Sequence, residues 1–432
     1  MKLSEIARER GIRFFLIAYT DLFGILRAKL VPASAIDGMA EEGAGFAGFA
    51  TWFDMTPADP DVLAVPDPDS LIQLPWKPEV GWMAATPWMA GKLVDQAPRN
   101  VLRQLVAKST ELGLEMRTGV EPEFFLIQPD GGAIADPADR QIKPCYDQLT
   151  LMRRYDVIAE IADAMDTLGW QPYQNDHEDA NGQYEMNWAY APALVTADRH
   201  VFFKYMVRTV AEKHGMRATF MPKPFSRLTG SGCHAHISVW RGDTNAFIDG
   251  AGGDDTLGLS PLAHHFLGGL MAHAEALCAL TNPAVNSYKR INAPVTQSGA
   301  TWSPSTVSWG GNNRTHMVRV PGPGRIEYRL ADGAANPYLL QAALLAAGLD
   351  GIEQGRDPGR ALALDMYTAG IVEGARRLPL NLLDAIRAFE ASPLRAALGE
   401  AFAGSYAKLK RQEWDSYMRH LTQWERDNTL DC

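Results

Sequence analysis

Glu121-Pro122-Glu123 and His234-Ala235-His236 each place two potential metal ligands two residues apart. Side chains at i and i+2 project from the same face of a strand. The first pair heads the apolar run Phe124-Phe125-Leu126-Ile127, and the second opens a run ending at Trp240. Both therefore read as strands. Two carboxylates side by side next to a buried strand are costly unless a cation neutralises them. Glu327 lies in a third such run, Glu327-Tyr328-Arg329, while Glu178 and Glu185 flank the turn Asp-Ala-Asn-Gly. The set is rich in carboxylate and imidazole and contains no cysteine. Hard oxygen donors of this kind suit Mg²⁺ or Mn²⁺ better than structural zinc. Such cations beside a phosphate neutralise charge in phosphoryl transfer.

Arginine is the second signal. Arg290, Arg314, Arg319, Arg325 and Arg329 fall within forty residues, beside glycine-rich segments. Guanidinium groups bind phosphates and carboxylates in bidentate fashion. The chain has no GxxxxGK[ST] loop and no GxGxxG between strand and helix, so a nucleotide would bind without either element. Taken singly, a Glu-x-Glu is commoner as a solvated strand edge, and arginines commonly form salt bridges. The metal–phosphate reading rests on their joint occurrence.

The elements that must position these groups read as α+β. Residues 1–96 form a small unit with strand-like runs at 14–17 and 71–74, a glycine-rich loop at 43–48 and an extended loop at 57–68. Pro98 opens a helix over 101–112, where a second unit, 97–432, begins. Strands over 118–127, 183–188, 234–240, 317–320 and 325–330 mix with helices over 155–168, 198–214 and 261–280, and the chain is helical from Asn336 onward. The absence of regular βαβ alternation predicts a largely antiparallel sheet. A net charge of −10, with 46% hydrophobic and 21% charged residues, excludes a nucleic-acid footprint and an anionic membrane surface. Four scattered cysteines read as reduced thiols. With no apolar leader and no uninterrupted apolar span, the expected location is the cytoplasm.

The motifs resemble those of the glutamine synthetase family. They include Gly119-Val120-Glu121-Pro122-Glu123-Phe124-Phe125, His177-Glu178 through Gly182-Gln183-Tyr184-Glu185, and Gly230-Ser231-Gly232-Cys233-His234-Ala235-His236. Asn286-Ser287-Tyr288-Lys289-Arg290, Asn313-Arg314, Arg325-Ile326-Glu327-Tyr328-Arg329 and Asn336-Pro337-Tyr338-Leu339 continue in family order. The resemblance implies an N-terminal β-grasp domain and a catalytic domain with a curved, open-barrel sheet. It implies a homo-oligomer, a dodecamer of two stacked hexameric rings with inter-subunit active sites. One Mg²⁺ or Mn²⁺ would lie on Glu123, Glu178 and Glu185, and another on Glu121, His234 and Glu327. Arg290, Arg329 and the Gly230 backbone would hold glutamate. His236, Arg319 and Arg325 would serve ATP, with Arg319 facing its phosphates. Arg314 would act on the transferring phosphoryl group, with γ-glutamyl phosphate formed before the amine attacks.

The departures concern the amine. Where the family carries an ammonium-binding Asp, this chain reads Gly45-Phe46-Ala47-Gly48. Arg290 is followed by Ile-Asn-Ala-Pro without the family's flap Glu, and Thr229 replaces an Asn. Residues 43–52, 176–183 and 311–316 resemble the branch of the family that uses methylamine. An alkylammonium arrives protonated and needs a carboxylate to attract it and take its proton. Asp176, two residues before Glu178, is the expected base, with a turn-capping role as the structural alternative. Trp52, Tyr184 and Trp188 are candidates for an apolar or cation–π wall, or for core. Ammonia, a larger amine, or an inactive sensor are the competing readings; retention of all the metal carboxylates speaks against the last.

Overall fold

The apolar runs gather into two separate sheets in a computed structural model that describes residues 2–249, 256–296, 298–369 and 372–432. In the N-terminal sheet, β1 (Phe14–Thr20) makes a hairpin with β2 (Leu26–Pro32). After the helix Ile36–Glu42 come β3 (Ala44–Phe46), β4 (Val62–Pro66), β5 (Ile72–Gln73), β6 (Val80–Met89) and β7 (Lys92–Leu93). The order is β2-β1-β6-β4-β3, with β5 and β7 also on β6. β1 and β6 run parallel at the centre. Hairpin, helix and return to a parallel partner is the β-grasp pattern. Both loops expected here contain strands: β3 lies in the glycine-rich stretch and β4 in the Pro/Asp-rich one. Pairing with β6 and with each other, rather than intrinsic propensity, holds them in place.

The second sheet comprises β8 (Glu115–Ile127), β9 (Pro172–His177), β10 (Gln183–Trp188), β11 (Ala191–Pro192), β12 (Arg217–Thr219), β13 (Cys233–Arg241), β14 (Thr244–Asn245), β15 (Trp309–Gly310), β16 (Val318–Gly322) and β17 (Arg325–Tyr328). Its order is β15-β16-β17-β13-β8-β10-β9, with β11 and β12 on β8 and β14 on β13. Among the described residues the β15–β16 pair alone is parallel in this sheet, so this is the curved, largely antiparallel open sheet expected.

Helices cover the sheet. Ala193–Lys213 packs on β8, and the nearly wholly buried Pro337–Gln354 packs on Pro98–Glu111 and Pro261–Ala272. The last contact brings backbones together: a Cβ on Gly269 would lie 1.9 Å from the Ala347 carbonyl oxygen. The single helix expected over 261–280 is two, Pro261–Ala272 and Ala274–Thr281, parted at His273, whose Nε2 lies 2.6 Å from Asp350 Oδ2. All four cysteines are free thiols, as expected. Among the described residues no helix is long and apolar enough to cross a membrane.

A buried ion network ties the two sheets. Arg99 donates to Asp198 through Nε (3.0 Å) and Nη2 (2.8 Å), and Nη2 also reaches Asp67 at 2.8 Å. Asp198 further accepts from the Tyr338 hydroxyl at 2.7 Å. Removing one partner of such a pair strands the other charge in a medium that solvates it poorly. Arg99→Ala should therefore lower stability by about 3–5 kcal/mol in urea unfolding. A loss below about 1 kcal/mol, the range of a surface pair, would count against this role.

Candidate active site

Register brings the predicted residues into one row. Across the second sheet His234 pairs with Glu121, Glu123 with Glu185, and Glu185 with Asp176. On the other side His236 pairs with Glu327, and Glu327 with Arg319. Directly opposed residues share a face, so six strands present one polar surface. Pro122 is tolerated inside β8 because it falls where the strand ends its pairing with β13 and begins pairing with β10.

That face bounds a cavity of about 280 Å³. Glu121, Glu123, Asp176, Glu178 and Glu185 line it, as do His234 and His236. Arg314, Arg319, Arg325 and Arg329 complete the predicted part of the lining. Three predicted residues lie outside it. Glu327 is fully buried beneath the surface, paired with Arg329 and, at 2.7 Å, with Arg319. Arg290 is also buried and donates to the Leu330 carbonyl at 2.9 Å. Gly230 packs against the Arg290 side chain, where a Cβ would lie 2.9 Å from its Cγ.

The acids divide by their partners. Burial raises the pKa of Glu121, but His236 Nε2 at 2.9 Å and His234 Nδ1 at 3.4 Å outweigh it and hold the carboxyl well below its ordinary range. Burial likewise opposes Arg329 at Glu327, where the net result is a pKa near 2. Glu178 and Glu185 lack such cations. Burial and then neighbouring carboxylates, Glu123 for Glu178 and Glu121 for Glu185, push both well above the usual range. Asp176 is raised to about 6 by burial, with Glu123 and Glu121 adding to it.

Sequence reading misses what holds the Glu178 turn. Asp139 sits at 2.7 Å from His177 Nε2 and accepts from Asn181 Nδ2 and the Gly182 amide, each at 2.6 Å. His177 and Asp139 side chains are fully buried. On the next residue, Asp179 accepts from the Thr229 and Ser298 hydroxyls. An isolated acid in a loop leaves no periodic signal. A second pocket, about 390 Å³, shares Glu121, Tyr173, His236 and Arg325 with the first. The Arg117 guanidinium lies 4.4 Å from the Trp240 ring centre, and Tyr190 stacks on Trp240 at 6.4 Å. A signal for this one existed: Trp240 lies at even spacing from His236 and shares its strand face. Tyr184 and Trp188 take the core alternative stated for them, at 1% and 2% exposure, and the aromatic lining of the cavity comes from other residues. Trp52 is 46% exposed against Phe23. Tyr146, Tyr173 and Trp302 line the cavity instead.

Residues 95–429 match the family "Glutamine synthetase, catalytic domain". The chain belongs to the glutamine synthetase family. It is 63% identical to a glutamine synthetase of Rhizobium leguminosarum bv. phaseoli, covering 100% of this chain and 99% of that one. It is 39% identical to a glutamate–methylamine ligase of Methyloversatilis universalis, over 99% and 98% of the two chains. A solved GmaS/ADP complex is 64% identical with a TM-score of 0.96, each chain covered in full.

Glutamine synthetases are ATP-dependent and use divalent metal ions. The residues here fit such ions. Donor atoms of Glu121, Glu185 and His234 lie within 4.8 Å of one another, as do those of Glu121, His236 and Glu327. His234 Nε2 is buried without a hydrogen-bond partner. Crowded acids without a cation destabilise the fold, which gives a thermodynamic test. Thermal unfolding of the wild type should shift upward with Mg²⁺, by an amount equivalent to about 2.7 kcal/mol at 100-fold excess over Kd. Glu178→Gln should be more stable than wild type in EDTA and gain less than half as much from Mg²⁺. Equal gains in both proteins would remove Glu178 from the metal site.

Proposed function

We propose that this glutamine synthetase homologue joins methylamine to the γ-carboxylate of glutamate, giving γ-glutamylmethylamide, ADP and phosphate. The carrying observation is Asp176: it stands opposite Glu185 on the neighbouring strand, and its Oδ1 is buried in the cavity without a partner. A carboxylate so placed attracts a cation smaller than a side chain. The likeness to the Methyloversatilis ligase and to GmaS supports methylamine as that cation. The likeness to rhizobial glutamine synthetases supports ammonia as the second reading.

In the first step a γ-carboxylate oxygen of glutamate attacks the γ-phosphorus of ATP and ADP leaves. Arg314, facing the cavity, balances charge on the transferring group, and Arg319 and Arg325 hold the phosphates. His236, Trp240 and Arg117 form the wall suited to a flat nucleotide base and its phosphates. Arg329, Arg290 and the Gly230 backbone orient the glutamate. In the second step methylammonium gives a proton to Asp176, the freed nitrogen bonds to the γ-carbonyl carbon, the carbon–oxygen bond to phosphate breaks, and the second proton lost by the nitrogen leaves with the phosphate. Mg²⁺ or Mn²⁺ would be held by Glu123, Glu178 and Glu185, and by Glu121, His234 and Glu327, with Glu327 turning from its arginines. When bound, these ions neutralise the negative charge of the phosphates and carboxylates.

The same reading takes residues 1–96 as one domain and 97–432 as the catalytic one, in a cytoplasmic dodecamer whose neighbouring N-terminal domains complete each site. Phe49 and Trp52, 50% and 46% exposed beside the altered 45–48 segment, supply an apolar surface for such a contact.

Phosphate release with ATP, glutamate and Mg²⁺ should show a kcat/KM for methylamine at least tenfold above that for ammonia. Asp176→Asn should lower kcat by about 10²–10⁴, the range of a lost general base. A preference for ammonia would overturn the substrate and leave the ligase chemistry standing.

A further inference from the structure

Among the described residues, five buried polar atoms on the lining of the catalytic cavity lack a partner within the protein: one ring nitrogen each of His234 and His236, which the proposed metal and ATP sites would use, the acceptors Asp176 Oδ1 and Asn187 Oδ1, and the indole donor Trp302 Nε1. A buried polar atom is normally paired, so orphaned carbonyl and carboxylate acceptors together with an orphaned N–H donor in one cavity point to a ligand that offers both a donor and an acceptor. Trp302 is unusual in its backbone as well. Its φ is +53°, a left-handed conformation that bulky residues avoid. Of the six non-glycine residues with positive φ among those described, two, Tyr146 and Trp302, line this cavity. Such strain persists only where the surroundings fix it. The segment is tied down on both sides: Ser298 donates to Asp179 beside Glu178, Thr296 donates through its amide to the Ala300 carbonyl at 3.1 Å, and Ser303, the next residue in the chain, is buried.

The position of Trp302 selects one substrate. The wall shared with the aromatic second pocket is Glu121, Tyr173, His236 and Arg325, which marks the nucleotide end. Trp302, Thr229 and Cys145 line the catalytic cavity alone. Thr229 and the segment after Arg290 are also where the sequence departs from the family pattern.

We propose that Trp302 is the specificity-determining residue of the amine subsite. Its ring covers the alkyl group of the incoming alkylammonium, and its N–H donates to the γ-acyl oxygen of the activated glutamate, while Asp176 Oδ1 accepts from the ammonium. An indole face favours an organic cation over a fully hydrated one. This inference rests on the ligase reading above.

Two variants in the full-length enzyme, assayed by phosphate release with ATP, glutamate and Mg²⁺, separate the roles of ring and N–H. Trp302→Phe keeps a ring and loses the donor. It should lower kcat/KM for methylamine and ammonia alike, by about tenfold, and preserve their ratio within threefold. Trp302→Ala loses both and should cut the methylamine-to-ammonia ratio at least tenfold. An unchanged ratio in Trp302→Ala overturns the specificity role. A Trp302→Phe enzyme that matches wild type overturns the N–H role, and if the alanine protein does not fold, Trp302→Leu, which loses the ring but keeps apolar bulk, reads the ratio by the same criterion. A wild type without methylamine-dependent phosphate release is the failure of the ligase reading itself, and it is visible before any variant is made.

Discussion

Glu121, Glu123, Asp176, Glu178 and Glu185 are crowded onto one face of a single sheet, and their mutual repulsion sets the terms for everything around them. Isolated carboxylates would relieve it by turning to water. These cannot, because strand pairing fixes the Cα positions of Glu121, Glu123, Asp176 and Glu185 across β13, β8, β10 and β9, and Glu178 follows directly on β9. The protein relieves the repulsion only at one end. Two histidines flank Glu121 and two arginines hold Glu327, and there the acids stay ionised. At the Glu178–Glu185 end no cationic side chain answers, and both carboxyls are driven toward their neutral forms. A site that compensates half of its charge and leaves half is built for a cation that arrives from outside.

Holding such a site open demands stiffness behind it. The Glu178 turn is not restrained by Glu178 itself, whose side chain accepts from the Asp179 amide alone at 3.0 Å. It is restrained by the buried Asp139–His177 pair and the two further donors that Asp139 collects. Glu123 is fixed in the same indirect way, by the Gly232 amide at 2.7 Å and Gln183 Nε2 at 3.1 Å. Every one of these supporting groups is itself buried and hydrogen-bonded, so the ligands keep their geometry while their charges remain unsatisfied.

Legibility in the sequence followed periodicity. β8, β10 and β13 could be read because apolar runs and chemistry-bearing residues alternate within them, and Gln183–Trp188 was bounded to the residue. β9 could not. Pro-Tyr-Gln-Asn-Asp-His is polar on both faces, as a sheet's last strand can be, and only its pairing with β10 makes it a strand. Asp176 was therefore placed by its distance from Glu178, while the register that sets it opposite Glu185 is a long-range property. Asp139 and Trp302 had no local pattern to betray them. The assignment of separate roles to the arginines came from family resemblance, since chemistry alone assigns all of them to anions.

The distribution of these parts over the fold explains how one family can change its amine without losing its phosphate chemistry. The residues proposed for phosphate and metal stand largely on paired strands: Glu121 and Glu123 on β8, His234 and His236 on β13, Arg319 on β16, Arg325 and Glu327 on β17. Shifting any of them means slipping a register that is also buried on its other face. The residues that line the cavity away from the nucleotide, Cys145, Thr229 and Trp302, lie in connections between elements. Connections tolerate substitution because few backbone hydrogen bonds depend on their course. Asp176 stands at the boundary between the two groups, on the outermost strand of the sheet order, with β10 as its partner on one side. A carboxylate there is rigid enough to share the face of Glu185 and peripheral enough for the role proposed for it, meeting a different cation from the one proposed for the metal carboxylates.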